Sequence, residues 1–129
     1  MTQDNTLLAA VDLYFDAIHH CDSKTLDAVF HPQSSLFDAD SGSIFVEPID
    51  SFSRDVGSRV SPASRGQARE AEILMLDYLS PISATVKIRI RAHQNVFVDH
   101  LGFVKGADGW QIVSKIWHLE TVVESAAAV

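Results

Sequence analysis

The sequence predicts an α+β fold, with N-terminal helices packed on a strongly curved, mainly antiparallel sheet that leaves a cone with an open end. Three observations predict it. Residues 5–20 repeat their apolar side chains at three- and four-residue steps, the period of a helix. Residues 82–91 alternate apolar and polar, the period of a strand with one dry and one wet face. Helical patterns come first and strand patterns last, the order of an α+β chain.

Taken in order, the first helix carries Leu7, Val11, Tyr14, Phe15 and Ile18 on one stripe, with Asp4, Asp12 and Asp16 away from it. His19 and His20 fall at its end, where positive charge suits the helix dipole. Asp22 or Ser23 can cap a second helix whose apolar face is Leu26, Val29 and Phe30. His31-Pro32 stops it, because proline disfavours helical geometry in the residue before it. Residues 34–39 then read as a strand, Asp40-Ser41-Gly42 as a turn, and residues 43–46 as a second short strand. Pro48 opens a third helix through about Val56, with Phe52 and Val56 inward.

Residues 57–66 form a loop rich in Gly, Ser, Pro and Arg. Strands follow at about 71–79, 82–91, 95–105 and 110–119, the last two joined at Gly106-Ala107-Asp108-Gly109. The whole chain, 1–129, reads as one domain, with residues 125–129 expected to be a flexible tail.

Composition narrows the function. With 129 residues the chain can bury a core large enough to need no disulfide or metal. Its formal net charge of −7 repels phosphate backbones, so no nucleic-acid partner is expected. Cys21 stands alone, so no intrachain disulfide forms, and it reads as a small buried filler. The first residues lack the basic start and apolar run of a signal peptide, and no stretch reaches the ~20 apolar residues of a membrane span. A cytoplasmic protein without a membrane partner is expected. The histidines show no metal-ligand spacing, and neither a metal nor a cofactor is expected.

Several pieces then carry a family resemblance: Tyr14-Phe15-Asp16, Phe30-His31-Pro32, the loop Arg59-Val60-Ser61-Pro62 through Arg65-Gly66, Asp99-His100-Leu101, and Gly109-Trp110-Gln111-Ile112-Val113-Ser114-Lys115. In their order and spacing the chain resembles the nuclear transport factor 2-like superfamily over nearly its whole length, closest to the putative lumazine-binding branch of small bacterial proteins. The resemblance implies a cone-shaped, cystatin-like roll with a ligand pocket inside the cone, and commonly a homodimer formed through the sheet.

Tyr14, Asp38 and Asp99 also resemble the site of bacterial ketosteroid isomerases, although Asp38 is followed by Ala39-Asp40 where that family has proline. What this implies is a carboxylate base, Asp38, with Tyr14 and a protonated Asp99 donating to an oxyanion. Phe37, Phe52, Phe97, Leu101 and Phe103 are the expected walls of the pocket.

Beside these readings stand structural ones. Tyr14 can be a core tyrosine, Asp38 a strand-end residue, and Asp99 a buried carboxylate with a partner. If Asp108-Gly109 is the two-residue hairpin turn, Asp99 lies opposite His118. If the turn is Ala107-Asp108, it lies opposite Ile116 and the pair disappears. Lys115 can point either way. Arg54, Arg59, Arg65 and Arg69 form a basic island that either recognises an anionic ligand or pairs with acidic groups elsewhere. Trp117 opposite His100 is read as covering the outer sheet face.

Three functions fit. One is a small-molecule-binding protein using Tyr14, Asp38 and Asp99 as polar anchors, with the apolar walls and His118 around them. A second is a cofactor-free isomerase, cyclase or dehydratase in the same pocket. The third is a dimeric association domain without a working pocket.

Overall fold

A computed structural model describes residues 5–123; the expected tail at 125–129, and Asp4, lie outside the described residues. The elements run α1 (Asn5–His20), α2 (Ser23–Val29), β1 (Phe30–Asp38), β2 (Phe45–Pro48), α3 (Ile49–Gly57), a 3-10 turn (Ala63–Arg65), β3 (Ala71–Ser80), β4 (Ser83–Ala92), β5 (Asn95–Gly106) and β6 (Gly109–Val122).

The helical elements follow from local chemistry. The α1 stripe of Leu7, Val11, Tyr14 and Phe15 is buried, while Leu13, off the stripe, is exposed. The helix ends where Cys21 takes a left-handed φ of 50° and Asp22 N–H donates to Ala17 O at 2.9 Å, closing the last turn. The Asp22 carboxylate then accepts from the backbone N–H groups of Lys24 and Thr25 and starts α2. In β4 the alternation is complete: Ala84, Val86, Ile88 and Ile90 are buried. On the other face Arg89 spans Glu72 and Glu120, both at 2.8 Å.

The strands lie in the order β2-β1-β6-β5-β4-β3. This corrects the expected strongly curved cone. The sheet is open and mixed, neither closed nor strongly curled. β2 and β3 are its two edges and do not pair with each other, and β1 runs parallel to β6 while the other neighbours are antiparallel. The physical reason is that the helices already cover one face of the sheet, so its apolar side chains are buried without closure. β1 is fed directly by α2 rather than by a hairpin, so it enters beside the last strand in a parallel sense.

The β5–β6 hairpin sets the geometry of the interior. Gly106 pairs with Gly109, which makes Ala107-Asp108 the turn. Phe103 faces Ile112, but Gly102 faces Ser114, so Val113 is an extra residue on β6. Before this bulge the even residues Trp110 and Ile112 point inward; after it the odd residue Lys115 does. The bulge shifts Asp99 to a position opposite Trp117, so it faces neither His118 nor Ile116.

Candidate functional site

Three polar side chains meet between α1 and the inner face of the sheet. Tyr14 is in the middle of α1, on its buried stripe. Asp99 is on β5, with Phe97 and Leu101 on the same face and Ile88 and Trp117 as its cross-strand neighbours. Lys115 is turned inward on β6 by the Val113 bulge. The Tyr14 hydroxyl donates to Asp99 Oδ2 at 2.7 Å, and Lys115 Nζ lies 3.7 Å from the same oxygen. Asp99 is 1% exposed, and its other oxygen, Oδ1, is buried with no hydrogen-bond partner among the described residues. Lys115 Nζ sits in an aromatic angle, 4.5 Å from the Phe52 ring centre and 5.2 Å from that of Tyr14.

Burial governs the protonation of this group. It pushes the Tyr14 phenol well above its usual value, and the Asp99 charge pushes in the same direction. Burial pulls the Lys115 amine below its usual value, with Arg59 adding to the effect while Asp99 and Glu47 oppose it. The result is a site that holds its phenol protonated and makes its amine easier to neutralise.

Around the three residues is a chamber of about 120 Å³, walled by Phe52, Phe97 and Trp117 and bordered by Glu47 and Arg59. The rings of Phe97 and Trp117 meet edge to face at 5.7 Å. A second hollow of about 450 Å³ shares Ile18, Arg59, Ala92 and Phe97 with the chamber and reaches to Cys21 and His93. The arginine island divides in two here. Arg59 lies at the junction, bonded to Asp55, whereas Arg69 bridges Asp12 and Asp16 on α1, both at 2.8 Å. Among the described residues, no group of three or more His, Cys, Asp or Glu is gathered as a metal site.

The residues singled out in the sequence are scattered. Tyr14, Asp99, Phe52 and Phe97 line the chamber. Leu101 and Phe103 are sealed in the core and are absent from its lining. Phe37 is on the outer face, paired with Ile116. Asp38, at the end of β1, is also off the lining; its Oδ2 accepts from Asp40 N–H at 3.2 Å, and its Oδ1 is buried without a partner. His118 faces outward, its side chain 67% exposed, and pairs through Nδ1 with Asp40 Oδ1 at 2.7 Å. No Asp99–His118 dyad forms. Trp117, expected on the outer face opposite His100, instead helps wall the chamber; His100 faces Ile116.

Lys115 is the residue the sequence left undecided. The signal that finds it is Gly102, a glycine inside a strand, which marks a bulge or a close approach. A Cβ added there would come within 2.6 Å of Ser114 Oγ, beside the bulge.

Comparison with known proteins agrees with this architecture. A family described as putative lumazine-binding matches residues 2–118. No curated protein matches the chain. Among solved structures, an NTF2-like protein of unknown function from Shewanella baltica superposes with a TM-score of 0.80 at 20% identity, over 91% of this chain and 93% of that one. An NTF2-like protein of unknown function from Silicibacter pomeroyi gives 0.75 at 18% identity, over 90% and 94%. A ketosteroid isomerase-like protein from Erwinia carotovora atroseptica gives 0.67 at 16% identity, over 91% and 95%. At these identities the structural likeness concerns the fold alone.

Proposed function

The chain belongs to the putative lumazine-binding family, within the nuclear transport factor 2-like superfamily, and we propose that it binds a small ring-containing molecule that brings a hydrogen-bond donor to Asp99. The observation carrying this reading is Asp99 Oδ1, buried in the chamber wall without a partner. A buried carboxylate oxygen left unpaired costs free energy that a ligand N–H or O–H recovers. Size agrees with a two-part ligand. The chamber of about 120 Å³ takes a polar head, and the adjoining hollow of about 450 Å³ takes a flat body between Arg59 and Phe97.

Binding is favoured over isomerase chemistry because the Tyr14 hydroxyl is directed at Asp99 rather than at a ligand oxygen, and Asp38 is off the chamber lining. A thermal-shift panel tests the reading. Lumazine, flavin relatives, hydroxylated aromatics and steroids would be compared with analogues methylated at their donors, lumazine with its N,N-dimethyl derivative among them. A donor-bearing ligand at a hundred times its dissociation constant should stabilise by about 2.7 kcal/mol, a rise of several degrees. Equal shifts from methylated and unmethylated members, or none across the panel, would defeat it.

A second reading concerns the outer face of the sheet. Register places Val46, Phe37, Ile116, His100, Lys87 and Met75 in one row across all six strands. Ile116, near its centre, is 57% exposed. This row supports a homodimer packed through the sheet. Light scattering at micromolar protein should give a dimer mass, and Ile116→Glu should shift it to the monomer. A monomeric parent protein would remove this reading and leave the pocket untouched.

A further inference from the structure

Among the four lysines of the chain, Lys115 is the buried one; Lys24 and Lys105 are exposed and Lys87 is half-buried. Its side chain is 8% exposed, and it ends in a chamber rather than in packed core. The ion pair with Asp99 is only part of the surroundings that hold it there. At 3.7 Å the pair is longer than a hydrogen bond, and the amine lies against the aromatic faces of Phe52 and Tyr14.

We propose that Lys115 is the amine of a covalent site, condensing reversibly with the carbonyl group of a small aldehyde or ketone to form an imine. This rests on the binding reading above and deepens it by naming the ligand's reactive group.

Imine formation has three requirements, and the chamber meets each. The amine must be neutral when it attacks; burial in the chamber wall disfavours the ammonium form and Arg59 repels it, outweighing the opposing pull of Asp99 and Glu47. There must be room for the carbonyl beside the nitrogen, which the chamber of about 120 Å³ provides. A group must move protons between nitrogen and oxygen, and the Asp99 carboxylate stands next to Nζ with Oδ1 free to accept.

The steps balance without an oxidant or reductant. The Nζ lone pair forms a bond to the carbonyl carbon while the C=O π pair moves to oxygen. Asp99 takes a proton from nitrogen and delivers it to that oxygen, giving a carbinolamine whose hydroxyl faces the carboxylate. The C–O bond then breaks. Its electron pair leaves with the hydroxyl, Asp99 carries the remaining N–H proton to that hydroxyl to make water, and the electron pair freed on nitrogen closes the C=N bond. One carbonyl and one amine give one imine and one water. Tyr14 holds Asp99 Oδ2 in place throughout by its 2.7 Å hydrogen bond.

The test uses the full chain with limiting benzaldehyde and sodium cyanoborohydride near neutral pH, followed by intact mass and peptide mapping. One benzyl group per chain is expected, on Lys115, ahead of Lys24, Lys87, Lys105 and the terminal amine. In Lys115→Arg, checked for folding by circular dichroism, the rapid phase of labelling should vanish. Label confined to the exposed amines of the folded parent protein would overturn the proposal, and this outcome requires no variant. Benzyl alcohol, which carries a donor but cannot condense, separates the two readings. Stabilisation by benzyl alcohol without trapping at Lys115 rejects the imine and keeps the binding site. Neither stabilisation nor trapping rejects the imine and counts equally against the binding site.

Discussion

Lys115→Met is expected to lower the free energy of unfolding by about 3–5 kcal/mol, the usual cost of breaking a buried ion pair from one side. The variant leaves the Asp99 carboxylate, 1% exposed, with Tyr14 as its remaining partner. Urea unfolding at neutral pH measures this. Most of the loss is desolvation of a stranded charge rather than the worth of the pair itself. A companion variant separates the two. Tyr14→Phe/Asp99→Leu/Lys115→Met removes every polar atom of the cluster together and should come out close to the parent protein or above it. If Lys115→Met alone is neutral, Asp99 is being neutralised or solvated by another route, and the cluster is not the closed unit described above.

The same residue has a pH signature. Burial depresses its amine in the folded chain, so its contribution to stability is fully present above the unfolded value of roughly 10.4 and is lost as pH falls through the folded value. Neutral pH lies below the unfolded value, so there the fold carries a cost from burying this amine.

The periodic elements were legible because burial imposes its period on the sequence. The Leu7–Val11–Tyr14 stripe of α1 and the alternation from Ala84 to Ile90 in β4 each report one dry face. The Asp22 cap and the Pro48 helix start were legible for local reasons of the same kind. Sheet shape was not, because strand periodicity says which face is buried and nothing about whether edge strands meet. The parallel contact of β1 with β6 depends on where α2 delivers the chain. The site was half legible. Tyr14, Asp99, Phe52 and Phe97 are on strongly patterned segments, and the chamber contains them. Leu101 and Phe103 share the Asp99 face, yet the chamber does not extend along the strand to reach them. Lys115 was hidden because one extra residue, Val113, reverses the inward parity of β6 halfway along. A reader who counts alternation from Trp110 and Ile112 sends Lys115 to the outer face and brings Ser114 and His118 inside.

Tyr14→Phe is the second large expected effect, about 1–3 kcal/mol at neutral pH, because it leaves both Asp99 oxygens without a hydrogen bond. Its dependence on pH distinguishes it from an ordinary packing change. Burial and the Asp99 charge raise the Tyr14 phenol well above its usual value. Stability from a raised group is fully present below the unfolded value, roughly 10 for tyrosine, and is lost as pH rises beyond it. Above that point the unfolded chain releases the proton while the folded chain retains it. The gap between the parent protein and Tyr14→Phe should therefore hold steady from neutral pH to about 9 and then narrow. Paired urea titrations across this range give the comparison directly, since effects shared by both chains cancel. A gap that stays constant into the alkaline range would mean that the phenol ionises as easily folded as unfolded. The hydroxyl would then be reaching water rather than Asp99, and the chamber would be open at the end where the protein closes it with Tyr14.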